Sequence, residues 1–193
     1  MIQTDIRKLA QYGVKTGLVP EEDRIYTINR LLELFELDEL EEISGEQAAE
    51  IAETETEELE QILTTLRPYK GEGRLITLFG CAGDRDRTKR AAMGEIVARL
   101  SDLVILTSDN PRTEDEGQII DDTRPGLEKY KTPYRIIPDR YEAIVWALEQ
   151  AQKDDILLLA GKGHEDYQVL REETIYFDEK VLVQQLLERQ GDE

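Results

Sequence analysis

The chain holds one cysteine, Cys81, and one histidine, His164, in 193 residues. A single cysteine excludes an intrachain disulfide, and a reducing, cytoplasmic setting is the plain expectation. A single histidine excludes any mechanism that needs two. With one of each, a structural zinc site is not expected. Basic residues are scarce: 24 Lys and Arg stand against 43 Asp and Glu, for a formal net charge of −19. Phosphate backbones and anionic lipid both need a basic face, so neither nucleic acid nor a membrane surface is expected as a partner. No apolar run approaches the length of a bilayer span, and the first residues carry no secretory pattern. A phosphate loop of the GxxxxGK[ST] kind is also missing.

What is present changes character near residue 70. Residues 1–70 carry 7 Lys and Arg against 17 Asp and Glu, with only Gly13 and Gly17 before Gly45. Ile2, Ile6, Leu9, Ala10 and Gly13 recur at helical spacing. Pro20-Glu21-Glu22-Asp23 suits a helix start, with proline and acids in the first turn. Ile25, Ile28, Leu31, Leu32 and Phe35 form the next apolar stripe. A third helix is expected over about 46–66 from Ala48, Ile51, Leu59, Ile62, Leu63 and Leu66. The region 1–70 therefore reads as small, acidic and all-α, and its helices are the candidate surface for a protein partner. Residues 67–74 read as a linker.

From residue 71 to 193 the pattern is α/β. Strands are expected at 74–79, 103–107, 134–137 and 155–160, and helices at 88–100, 115–123, 139–152 and 178–190. Residues 167–170 and 174–177 suit an antiparallel hairpin around Arg171-Glu172-Glu173. Short, branched apolar runs such as Leu103-Val104-Ile105-Leu106 and Ile156-Leu157-Leu158-Leu159 mark strands buried on both faces. The expected fold is a doubly wound, mostly parallel (mixed) Rossmann-like sheet of about six strands.

Three segments lie just beyond expected strand ends, where open α/β sheets form their ligand crevice. Gly80-Cys81-Ala82-Gly83-Asp84-Arg85-Asp86-Arg87-Thr88-Lys89-Arg90 has six charges within residues 84–90, more than a turn needs. Its glycines and free helix-start N–H groups suit an anion. Thr107-Ser108-Asp109-Asn110-Pro111-Arg112-Thr113-Glu114 reads in part as a turn, with Thr113 placed to cap the next helix. A turn does not explain Arg112, whose planar fork matches a carboxylate and which is expected to be exposed. Gly161-Lys162-Gly163-His164-Glu165-Asp166 lets backbone approach a ligand, and Glu165 suits an ammonium group. His164 is a base or, by default, a hydrogen-bonded loop residue. Paired guanidinium and carboxylate groups on loops that meet suit a zwitterion such as an amino acid. Cys81 is expected to be a small packing residue. Tyr130, Tyr134, Tyr141 and Trp146 fall at ordinary packing intervals.

These loops resemble the C-terminal domain of the Mur ligases, in particular the UDP-N-acetylmuramoyl-tripeptide synthetases of peptidoglycan stem-peptide synthesis. The stretches that carry the likeness are FGCAGDRDRTKRAAMG (79–94), LTSDNPRTED (106–115) and LAGKGHEDYQ (159–168), in order and in register over about 72–190. The DNPR form resembles the enzymes that add meso-diaminopimelate. The resemblance implies that Arg85, Asp109, Asn110, Arg112, Gly161 and Glu165 bind the incoming amino acid, with Glu165 near an amine. No catalytic residue and no metal ligand is assigned. In that family ATP and Mg²⁺ act in a central domain, which does not fit into residues 1–70. The expectation is thus a cell-wall ligase domain that binds an amino acid, holds no cofactor by itself, and is not an independent ligase. The alternatives are a subunit completing a ligase in trans, or an interaction or regulatory protein on a ligase scaffold. At Ala91 and Ala82 the chain departs from the proline and glycine usual in the family. Residues 1–45 are similar to the N-terminal helices of bacterial UTP–hexose-1-phosphate (galactose-1-phosphate) uridylyltransferases. The chemistry of that family needs more than one histidine and is not expected here.

Overall fold

A computed structural model describes residues 25–27, 45–162 and 165–191. In chain order the elements are strand β1 (Ile25–Thr27), helix α1 (Gly45–Leu66), a 3-10 turn (Arg67–Lys70), strand β2 (Leu75–Phe79), helix α2 (Thr88–Leu100), strand β3 (Leu103–Leu106), helix α3 (Glu116–Leu127), strand β4 (Tyr134–Ile136), helix α4 (Arg140–Gln150), strand β5 (Ile156–Ala160), a hairpin of β6 (Tyr167–Val169) and β7 (Thr174–Tyr176), and helix α5 (Glu179–Gly191). Every strand and helix expected between 74 and 190 is present, with ends shifted by a few residues.

The main sheet has five strands in the order β1-β5-β2-β3-β4, and every adjacent pair is parallel. The antiparallel element is a separate hairpin, with Tyr167 opposite Tyr176 and Val169 opposite Thr174. Among the described residues the expected doubly wound, mostly parallel α/β fold is present, with the antiparallel pair set apart from the main sheet. Leu75 to Phe79 and Ile156 to Ala160 are buried along their whole length, as strands covered on both faces must be.

Alternation along those strands sorts the side chains into two cores. Leu75, Phe79, Val104, Leu106, Ile156 and Leu158 face α1, α2 and α3, where Leu59, Leu63, Leu66, Val97, Ile120 and Leu127 complete one cluster. Ile76, Leu78, Ile105, Leu157 and Leu159 face α4 and α5, meeting Ala143, Ile144, Ala147, Leu148 and Val183. The sheet is doubly wound. Chain order runs from β2 outward through β3 to β4, then returns to the other side of β2 at β5. The loops after β2 and β5 diverge there, at the topological switch point.

Three local expectations change. Ile25, read as part of a helical stripe, lies with Tyr26 and Thr27 in β1, paired with Leu157–Leu159. Branched and aromatic residues accept a pleated conformation readily, and the open edge of β5 supplies ladder partners. The helices expected from Ile2 to Gly13 and from Ile28 to Phe35 lie outside the described residues, as does nearly all of the segment similar to the uridylyltransferases. Helix α3 does not stop at 123 but runs through Pro125 to the fully buried Leu127, because burial outweighs the lost backbone bond. Its N-cap is Asp115, which accepts from the Gln118 N–H, and Thr113 turns instead to Asp84.

The stripe Leu59, Ile62, Leu63 and Leu66 of α1 is buried in the core shared with β2 and β3. One hydrophobic cluster therefore spans both sides of the 67–74 segment. Among the described residues no helix is long and apolar enough to cross a membrane.

Candidate functional site

Beyond the carboxyl ends of β2, β3 and β5 lie the three charged segments, and hydrogen bonds tie them into one rim. The first and second loops are joined by backbone and side chain together. Gly83 N–H donates to the Asn110 carbonyl at 2.8 Å, and Arg112 Nη1 donates to the Gly83 carbonyl at 3.2 Å. A Cβ at Gly83 would fall 1.9 Å from the Pro111 carbonyl oxygen, so the two chains meet at a distance only glycine allows. Asp84 N–H donates to Glu114 Oε1 at 2.6 Å, and Thr113 Oγ1 donates to Asp84 Oδ1 at 2.6 Å. Asp84 and Arg112 both have left-handed backbones, with φ of 55° and 54°. Such conformations persist in non-glycine residues only where the surroundings over-determine them. Here both residues are pinned by these cross-loop bonds.

Arg90 anchors the same junction from below. Its side chain is almost fully buried, and it donates to Glu114 through Nη1 (3.1 Å) and Nη2 (2.8 Å) and to Asp122 Oδ2 through Nη1 (2.8 Å). Arg87 adds a second ion pair to Glu114 at 2.8 Å. The Arg90 guanidinium holds the Glu114 carboxyl at about 2, well below its ordinary 4.5, with the Asp84 N–H and Arg87 adding to the effect. A depressed carboxyl contributes stability that is complete above the unfolded value and lost as pH falls toward the folded one. Substitution of Glu114 by Gln is therefore expected to lower the melting temperature at pH 7, with the gap from wild type closing between about pH 4.5 and pH 2. Paired thermal melts across that range check it, and a gap unchanged at pH 2.5 would disprove the assignment.

The second and third loops share a buried polar knot. Asn110 Nδ2 donates to Glu165 Oε2 at 2.7 Å. Asn110 Oδ1 accepts from the Lys162 ammonium and from the Val169 N–H at 2.9 Å. Lys162 Nζ also donates to the Tyr167 carbonyl at 2.9 Å and lies 3.4 Å from Asp109 and 3.7 Å from Glu165. Burial pushes its pKa below the ordinary lysine value, while Asp109 pulls it up. Gln168 Nε2 donates to the Asp109 carbonyl at 2.6 Å, and Arg112 N–H donates to the Val169 carbonyl at 3.1 Å. Gly161 has φ of 124°, and a side chain there would sit 3.3 Å from the Asp109 carboxylate. The positive φ and the neighbouring carboxylate both call for glycine. Beneath the knot, fully buried Arg140 donates to Glu179 Oε1 (2.5 Å), the Ser108 carbonyl (3.2 Å) and the Ala160 carbonyl (2.9 Å). It thus fixes the ends of β3 and β5 to the start of α5.

The residues singled out from the sequence are placed as follows. Asp109, Asn110 and Glu165 belong to the knot, the first two buried and Glu165 half-buried, and Gly161 packs against Asp109. Arg112 is half-buried rather than exposed, held by Gly83. Arg85 is exposed and lines a cleft of about 270 Å³ with Asp109, Gly161, Cys81, Leu59 and Ile62. Arg112 and Glu165 do not line this cleft. Cys81 is buried and contacts Met93 and Thr123 through sulfur, a packing role as expected. Gly163 and His164 lie outside the described residues. Sequence reasoning gave no role to Lys162, Arg90, Arg140 or Glu114. For Lys162 the signal was a cation flanked by glycines; for Arg140 and Arg90 there was none, because burial of a charge is not visible in sequence.

The Lys162 ammonium is buried and bonded inward to Asn110 and Tyr167, so it is not presented to a phosphate. Among the described residues no group of three or more His, Cys, Asp or Glu side chains could hold a metal ion.

A parallel sheet with helices on both faces and charged loops knotted at its switch point defines a class, the doubly wound α/β domains. The comparisons then place it: residues 41–163 match the family described as Mur ligase, glutamate ligase domain, and the chain belongs to it. The match begins inside the acidic helical region. The UDP-N-acetylmuramoyl-L-alanyl-D-glutamate–2,6-diaminopimelate ligase of Clostridium botulinum is 49% identical over 128 residues, 66% of this chain and 26% of that protein. The enzyme of the same name from Nostoc sp. is 54% identical over 121 residues, 63% of this chain and 24% of its own. A solved structure of a ligase of that name superposes with a TM-score of 0.67 at 43% identity, covering 70% of this chain and 28% of the other. The chain spans about a quarter of the length of the relatives it matches.

Proposed function

We propose that this chain is the amino-acid-binding domain of a diaminopimelate-adding ligation in peptidoglycan precursor synthesis, acting in the cytoplasm. Arg85 and Arg112 receive carboxylates, and Glu165, presented by Asn110, receives an ammonium. Charge-assisted pairs of this kind are short and directional, which suits a small dipolar molecule with several charged ends. Asp109 and Gly161 line the cleft beside Arg85. The observation that carries the reading is the knot of loops, which puts a half-buried carboxylate and a half-buried guanidinium on one rim. The activation of the partner carboxylate by ATP and Mg²⁺ belongs to another domain, on this or a second polypeptide. The domain holds no cofactor of its own. The inward-facing stripe of α1 supports this reading over one in which that helix serves as a docking surface.

Isothermal calorimetry with meso-diaminopimelate, lysine and glutamate tests the proposal. Heat is expected with meso-diaminopimelate and little with the others; no heat with any at millimolar ligand overturns it. Arg112→Ala is expected to weaken meso-diaminopimelate binding by about 10- to 100-fold, the range for losing one bond to a charged group. Its circular dichroism spectrum should match wild type. Unfolding of this variant would assign Arg112 to structure rather than to recognition.

A further inference from the structure

The second and third loops meet around an ammonium that no ligand can reach. Lys162 is 1% exposed, yet it touches three of the polar groups of the site. The consequence lies in the amide of Asn110. An amide can flip, exchanging its oxygen and nitrogen, and only its partners decide which end points where. Both groups at the inner end, the Lys162 ammonium and the Val169 N–H, are donors, so that end must be the oxygen. The NH₂ end then faces Glu165, where it donates to Oε2 at 2.7 Å. Asn110 is 3% exposed, and its oxygen already accepts two bonds. It works on Glu165 before it works on any ligand. Lys162 also stands near both carboxylates and offsets two negative charges that would otherwise repel across the knot.

We infer that Lys162 is a positioning residue: its buried ammonium locks the Asn110 amide in the one orientation that holds the Glu165 carboxylate ready for a ligand ammonium. The inference rests on the amino-acid-binding reading for its consequence, but not for its geometry. Without Lys162 the amide loses the stronger of its two inner donors, leaving the Val169 N–H and Glu165 to oppose its turning, so it turns more readily. When it turns, its oxygen faces Glu165 and repels it. Loss of Lys162 therefore removes discrimination for an amine, not binding in general.

Two measurements on the full chain test this. The first needs no ligand: hydrogen exchange of the Asn110 side-chain NH₂ by ¹⁵N NMR, assigned by its disappearance in Asn110→Leu. Lys162→Met is expected to speed this exchange by about tenfold or more, the equivalent of one hydrogen bond to a charged group. The second is calorimetry with meso-diaminopimelate and with 2-aminopimelate, which lacks one amine. Wild type is expected to prefer the diamine by about tenfold, and Lys162→Met to bind both alike. Unchanged Asn110 protection, or a preference kept in Lys162→Met, overturns the inference. If wild type binds neither compound, the functional proposal fails, while the exchange measurement still decides the role of Lys162. Should Lys162→Met not fold, Asp109→Asn/Lys162→Met removes both charges of the buried pair and takes the same exchange measurement, with fast exchange supporting and slow exchange overturning the inference.

Discussion

Arg140→Met is expected to destabilise the domain by about 3–5 kcal/mol, the usual cost of breaking a buried ion pair from one side. Arg140 and Glu179 are both fully buried, and their charged ends meet at 2.5 Å. Methionine would leave the Glu179 carboxylate inside the protein with no counter-charge. It would also strip a donor from the Ser108 and Ala160 carbonyls, which cap β3 and β5 just where the loops begin. A domain of this kind has a total stability on the order of 5–15 kcal/mol, so the loss would bring it close to unfolding at ordinary temperature. Urea unfolding followed by circular dichroism measures it. Arg140→Met/Glu179→Leu should recover much of the loss, since an apolar pair of similar volume carries no stranded charge. A single-variant cost under about 1 kcal/mol would mean that water reaches Glu179 and that the pair is not a structural clamp.

Gly83→Ala is expected to weaken meso-diaminopimelate binding by up to about 100-fold while leaving the two cores packed. The added methyl would sit 1.9 Å from the Pro111 oxygen, and its nearest neighbours there are backbone atoms that no rotamer change can move aside. The first loop must therefore retreat from the second by an ångström or more. That retreat breaks the Gly83 bond to Asn110 and the Arg112 bond to Gly83. It leaves the left-handed backbone of Arg112 held from the third-loop side by its N–H bond to Val169 and released on the side of the first loop. Loss of the charged contact that the displaced Arg112 would make is worth up to about a hundredfold in affinity. Calorimetry reads the affinity, and ¹H–¹⁵N spectra should show shifts confined to residues near 80–90 and 108–115. Wild-type affinity in this variant would show that the junction of the first two loops does not shape the site.

The two variants separate two kinds of legibility. Gly83 stood out in the sequence as part of a glycine-bearing turn after a strand, although what it approaches is visible only in three dimensions. Arg140 sat in an ordinary amphipathic helix, beside Asp139 and Tyr141, and nothing in its neighbours distinguished it from a solvated surface arginine. The same holds for Arg90, one of four basic residues in a short run, of which it alone is almost fully buried. Asn110 was legible as a turn residue and as a ligand residue, but not as a relay between Lys162 and Glu165, because those partners lie 52 and 55 positions away in sequence. Ile25 shows the opposite failure. Its helical spacing with Ile28 and Leu31 was genuine, but the free edge of β5 offered hydrogen bonds that periodicity cannot register.

By itself the sequence determined the α/β alternation, the strands and helices from 74 to 190, the positions of the three charged loops and the family to which they belong. These follow from local signals: apolar runs of strand length, helical stripes, glycine-bearing turns and motifs in register. Only the tertiary structure decided which charges are buried, which way the Asn110 amide points, and that α1 shares a core with β2 across residue 70. Those depend on the partners each group meets, and partners far apart along the chain are chosen by packing and by the cost of leaving a buried charge or polar atom alone.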